Sequence, residues 1–156
     1  MTRVERDFLG ELELPSTAYY GIQTARAMHN FQISGQPLSS YPELIKALAA
    51  VKLAAARTNM ELGLLDETPG RVICETALEI MDGALVDQFP VDVIQGGAGT
   101  STNMNINEVI ANRSLEIMGR SKSEYEFCHP NNHVNLSQST NDVYPPAFLL
   151  ALFWAL

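Results

Sequence analysis

Residues 147–156 read Ala-Phe-Leu-Leu-Ala-Leu-Phe-Trp-Ala-Leu, ten apolar side chains in a row. Spanning a bilayer takes roughly twenty such residues, so this run is not read as a membrane helix. A helix that is apolar all round belongs in the interior of a larger protein or an oligomer. Phe153 and Trp154 left uncovered at the end of a domain would form an unusual surface. The expectation is therefore that this run packs against further protein, and that the 156 residues are the N-terminal part of a longer chain.

Composition supports a globular core. Apolar residues make up 46% and charged residues 18%, outside the range of disordered chains. The excess of Asp and Glu gives a net charge of −8, with no basic face to neutralise phosphates, which argues against nucleic acid as a partner. Met1 to Asp7 is charged and lacks the apolar stretch of a secretory signal. Cys74 and Cys128 stand alone, without C-x-x-C spacing, and read as reduced thiols of a cytoplasmic protein.

The pattern predicts a mainly α chain. Leu12-Glu13-Leu14 and Phe31-Gln32-Ile33 alternate like short strands, suggesting a small hairpin or extended arm, with helical turns over 24–30 between them. Ser40-x-x-Glu43 has the form of a capping box, and Leu44, Ile45, Leu48, Val51 and Ala55 follow at helical spacing up to Gly63. A second helix starts at Thr68-Pro69, with Val72, Ile73, Ala77, Leu78 and Met81 as its apolar stripe. A third is expected from about Asn103 to Met118 and ends at Gly119. The apolar run forms a fourth, entered through Pro145-Pro146.

Two long polar loops remain, over 87–102 and 121–140, and long loops in compact domains are usually functional. The first contains Gln95-Gly96-Gly97-Ala98-Gly99-Thr100-Ser101-Thr102. Its glycines admit a close ligand, and its hydroxyls precede a helix N-terminus, where free N–H groups and the helix dipole favour anions. It lacks the lysine of a phosphate-binding loop. The second places Ser139-Thr140-Asn141 before another helix. Neutral donors of this kind hold a carboxylate, and two such loops together point to a carboxylate substrate. His129 and His133 have four-residue spacing, but Pro130 breaks the helix that a metal-binding H-x-x-x-H pair would need. No metal site is expected.

Taken together, these motifs resemble the aspartase/fumarase superfamily. The resemblance runs from Tyr19-Tyr20-Gly21-Ile22-Gln23-Thr24-Ala25-Arg26 through Asp87-Gln88-Phe89-Pro90-Val91-Asp92-Val93 and residues 95–103. It ends with His129-Pro130-Asn131, His133-Val134-Asn135 and residues 137–142. Class II fumarases typically have serine at the place of Ala98, so the first loop is similar to the aspartase branch.

The resemblance implies an N-terminal lyase domain over residues 1–141 and the beginning of a central helical bundle over 142–156. It implies reversible anti-elimination of ammonia from L-aspartate to give fumarate, through an enediolate-like species, in a homotetramer. Thr100, Ser139, Thr140 and Asn141 match substrate-binding positions. His129, Asn131 and Asn132 match a peripheral anion site of fumarases, with Asn132 in place of the usual Asp. Leu136 stands where lysine is common, and Pro146 where threonine is common. The family's base lies on a G-S-S-x-x-P-x-K-x-N loop that this sequence does not contain, so no catalytic residue is assigned here. The family implies no cofactor, although a divalent ion activates some members. Two alternatives stay open: a class II fumarase converting malate to fumarate and water, and a truncated chain without activity.

Overall fold

The computed structural model describes residues 1–156. Strand β1 (Thr2–Asp7) turns at Phe8-Leu9 and pairs antiparallel with β2 (Gly10–Pro15), from Thr2 opposite Pro15 to Asp7 opposite Gly10. Gly10 takes a φ of +117°, which a side chain would resist. Five helices follow: α1 (Ile22–Asn30), α2 (Pro42–Glu61), α3 (Glu67–Met81), α4 (Thr100–Ile117) and α5 (Thr140–Ala155). The architecture is mainly helical with one two-stranded sheet, as the sequence predicted.

Several boundaries differ from expectation. The hairpin lies wholly within the first fifteen residues, and Phe31–Ile33 is not a strand. The N–H groups of Ile33, Ser34 and Gly35 donate instead to the Asp92 carboxylate, which spends them on a local turn. The Ser40–Glu43 capping box does not form. Ser40 belongs to a short 3-10 turn tied to Phe89 and Val91, and α2 starts at Pro42, whose fixed φ suits the first helical position. On α3, Ile80 faces the core and Leu78 is exposed.

Helix α4 begins three residues earlier than expected, so Thr100, Ser101 and Thr102 form its first turn rather than a loop before it. Helix α5 likewise begins at Thr140 and contains Pro145 and Pro146 instead of being entered through them. The Ser139 hydroxyl accepts from the Asp142 N–H, and the Asp142 carboxylate accepts from the Ser139 N–H. This reciprocal cap fixes the helix start ahead of the prolines. The prolines leave only the carbonyls of Asn141 and Asp142 without helical donors, and both residues are exposed to water.

The apolar core joins Ile45, Leu48, Ile73, Ile106, Ile110 and Val143, contributed by α2, α3, α4 and α5. Phe148, Leu149, Leu152, Phe153 and Trp154 of α5 remain exposed. No helix is long and apolar enough to cross a membrane.

Helix α4 lies at the centre, with twelve of its eighteen residues buried, seven of them polar or charged. Glu108 is one of them. Its carboxylate accepts from the N–H groups of Gly21, Gln23 and Thr24 at 2.8–3.0 Å, and so caps the start of α1. Burial pushes its pKa up to about 7, against the pull of those donors. Gly21 is required there because a Cβ would lie 2.8 Å from the Glu108 carboxylate. Glu108→Leu leaves three N–H groups without their acceptor, at about 1–3 kcal/mol for each group stranded away from water. We expect a loss of at least about 3 kcal/mol in chemical denaturation, and a variant as stable as the parent would refute this role.

Candidate functional site

The two polar loops meet. Gly99, with φ +88°, lies flat against the ring of Tyr144, one turn into α5, and a Cβ at position 99 would collide with that ring. This contact seats the N-terminus of α4 beside that of α5. At the first, Gln95 acts as an external cap: its amide nitrogen donates to the Thr102 hydroxyl at 2.6 Å, and its amide oxygen accepts from the Thr102 N–H at 3.0 Å. Gly99 accepts from Asn103. The N–H groups of Thr100 and Ser101 have no acceptor within the chain, and neither hydroxyl is engaged.

At the second, the Ser139 hydroxyl donates to Asp142 at 2.8 Å, so its proton is committed to the helix cap. Thr140 and Asn141 keep their backbone N–H and side-chain donors free. Thr100, Thr140 and Asn141 therefore present unpaired donors at two adjacent helix ends, where the dipoles add positive potential. Ser139 contributes as the cap that shapes the second end.

His129 and Asn131 lie elsewhere. They line a cavity of about 610 Å³ beneath the hairpin, together with Arg6, Phe8, Met104 and Tyr125. None of Thr100, Ser139, Thr140 or Asn141 lines it. Asn132 is exposed and does not line it either. The Nδ1 atom of His129 accepts from the N–H groups of Asn131 and Asn132 at 3.0 and 3.2 Å. The backbone N–H of His129 donates to Nδ1 of His133 at 2.7 Å. Burial holds both imidazoles below their ordinary pKa, which favours the neutral form. Nδ1 of each ring is thus occupied, and no group of three or more His, Cys, Asp or Glu is placed to share a metal ion.

Sequence reasoning missed the layer behind the helix ends. Lys52 of α2 has no exposed surface. Its ammonium donates to Asn135 Oδ1 at 2.8 Å and to Gln138 Oε1 at 2.9 Å. Asn135 Oδ1 also accepts from Asn103 and Asn107 of α4, at 3.1 and 3.2 Å. No carboxylate pairs with Lys52, and burial pulls its pKa down to about 7. The signal was available: Lys52 follows Leu48 by four residues and so occupies a place in the apolar stripe of its helix.

The lyase family model matches residues 10–156. The chain belongs to the aspartase/fumarase lyase family. It is 58% identical over 151 residues to the aspartate ammonia-lyases of Helicobacter pylori strain J99 and Pseudomonas aeruginosa. It is 49% identical over 155 residues to that of Escherichia coli K12. These alignments cover 97–99% of this chain and 32% of each relative, so the chain spans about a third of the length of the curated relatives it matches. Among solved structures, a cobalt-bound fumarate lyase:delta crystallin from Brucella melitensis superposes with a TM-score of 0.97 at 55% identity, over 99% of this chain and 34% of that one. A class II fumarase from Schistosoma mansoni gives 0.89 at 37%, over 97% and 32%.

Lys52 carries a pH signature into this lyase fold. The unfolded lysine titrates near 10.5 and the folded one near 7. Between those values unfolding takes up a proton, so stability from this group rises with pH, and below about 7 its contribution is flat. At about 1.4 kcal/mol per pKa unit the rise amounts to a few kcal/mol. Denaturation midpoints compared at pH 7, 8.5 and 10 are expected to lose this upward component in Lys52→Met. An unchanged slope in the variant contradicts the assignment.

Proposed function

We propose that this chain supplies the carboxylate-holding part of an aspartate ammonia-lyase, which converts L-aspartate reversibly to fumarate and ammonia. The observation that carries this reading is the pair of adjacent helix N-termini with free donors at Thr100, Ser101, Thr140 and Asn141. Removing a proton from the carbon beside the β-carboxylate drives negative charge onto that carboxylate. Donors already fixed toward the developing enediolate-like charge stabilise it without reorganising at the moment of reaction. Thr100, Thr140 and Asn141 act in this way, and Ser139 holds the second helix end in register through Asp142.

The base is supplied from outside residues 1–156. Residues 1–141 form the lyase domain, and α5 from Asp142 onward opens the central bundle of a homotetramer. Its uncovered Phe148, Leu152 and Phe153 suit burial among neighbouring helices. The protein acts in the cytoplasm, in keeping with its free cysteines. The similarity to the aspartate ammonia-lyases at 58% favours L-aspartate over malate.

In the complete enzyme, Thr100→Ala and Thr140→Ala are each expected to lower turnover of L-aspartate by roughly a hundredfold, the usual effect of deleting one such donor. Fumarate absorbance gives the measurement, with malate as the competing substrate. Faster production of fumarate from malate than from L-aspartate would favour the fumarase reading. Gly99→Ala, which drives a methyl into Tyr144, is expected to raise KM for L-aspartate several-fold, because it separates the two helix ends.

A further inference from the structure

We propose that Lys52 is a positioning residue of the carboxylate site: through Asn135 and Gln138 it sets the segment that delivers the N-terminus of α5 to that of α4. This inference rests on the carboxylate-binding reading of the two helix ends, and the test below separates the two.

The geometry is specific. Residues 135–138 connect the buried Val134 to Ser139, the cap of α5, and their backbone N–H groups bond only within residues 130–138. Their attachment to the body of the fold is made by side chains. Lys52 bonds both ends of the segment, taking the Asn135 and Gln138 amide oxygens at 2.8 and 2.9 Å. Each of those amides then uses its nitrogen to brace the loop. Asn135 Nδ2 donates to the Gln138 carbonyl, and Gln138 Nε2 donates to the carbonyls of Val134 and Leu136. Asn59, two turns along α2, donates to the Leu136 carbonyl at 2.9 Å and marks the same side of the loop. Asn103 and Asn107 reach the Asn135 oxygen from α4. Lys52 is thus the one side chain of α2 that bonds both residues joining the α4 network to the residue before Ser139.

A buried ammonium without a carboxylate is a poor choice for stability alone, since desolvation penalises the charge. Two amide oxygens at fixed separation are well served by a compact tetrahedral donor, however, and the amine keeps two N–H groups even when neutral. A hydrophobic residue would fill the space and leave Gln138 Oε1 without its donor. The arrangement spends stability on the placement of a loop, as expected where that loop carries function.

The test compares the parent complete enzyme with Lys52→Met and Gln138→Leu by amide hydrogen exchange and by steady-state kinetics. The expected result is exchange of the bonded amides of Asn135, Leu136, Gln138, Ser139 and Asp142 at least tenfold faster in Lys52→Met, with α3 protection unchanged, and KM for L-aspartate rising at least tenfold while kcat falls less. Gln138→Leu, at a half-buried loop position, is expected to move both in the same direction by a smaller factor. If Lys52→Met does not fold, Gln138→Leu decides alone. Unchanged protection of the Gln138, Ser139 and Asp142 amides in the folded variants overturns the positioning role, and so does an equal fall in kcat without a change in KM. Faster local exchange in Lys52→Met, together with a parent enzyme that fails to deaminate L-aspartate, would preserve the role of Lys52 and sink the aspartate reading instead.

Discussion

The fold depends on burying a helix that is not apolar. Helix α4 carries Asn103, Asn105, Asn107, Glu108, Asn112 and Ser114 at or below 3% exposure. Buried polar groups must be paired or they destabilise the interior. Each neighbour of α4 is therefore held in place by what it offers. Gln88 accepts from Asn105 through its carbonyl. The start of α1 gives its free N–H groups to Glu108. Asn112 donates to the carbonyl of Tyr19 and accepts from the Ser123 N–H. Thr76 on α3 meets Ser114 at 3.2 Å. Hydrophobic contact decides that these segments collapse onto α4, and the hydrogen bonds decide at which position along it.

This explains which parts of the sequence were legible. Helices α2 and α3 declare themselves because one face is apolar and the ends are marked by Pro42, Pro69 and Gly63. Helix α4 was legible as a helix but not as the centre, because periodicity counts only Val109, Ile110 and their like as inward. The asparagines at 103, 105, 107 and 112 look like residues of a solvated face until their partners, distant in sequence, are known. The starts of α4 and α5 differ from the sequence pattern for a related reason. Hydroxyl residues favour loops by composition, whereas Gln95 and the Ser139–Asp142 pair supply caps that let the helices begin earlier. The first strand of the hairpin is hidden in the sequence because β1 lacks an apolar alternation: its one buried residue is Glu5, which pairs with Arg3 and accepts from the Ile22 N–H.

The candidate site was legible as composition and illegible as mechanism of support. Glycine and hydroxyl clusters before two helices identify donors. They do not reveal that Gly99 is needed for the Tyr144 ring, nor that Ser139 spends its proton on Asp142. Lys52 shows the limit most clearly. A lysine in an apolar stripe reads as a flaw in the pattern, and only the positions of Asn135 and Gln138, more than eighty residues away, turn it into a part.

The charge of the chain sharpens what the proposed substrate demands. At a net −8, the long-range field repels a dicarboxylate, and no lysine or arginine stands among the donors at the helix ends. Within residues 1–156, attraction then comes from fixed dipoles at close range. Such dipoles act over the first helical turn and fade beyond it. They work only if their placement is held to within a fraction of an ångström, which side-chain flexibility at a surface loop would not allow. Burying Asn103, Asn107, Asn135 and Lys52 behind the site is the physical answer to that requirement. The positive charge that a surface would have offered freely to any anion is kept inside, where it shapes the donors and leaves them to select the ligand.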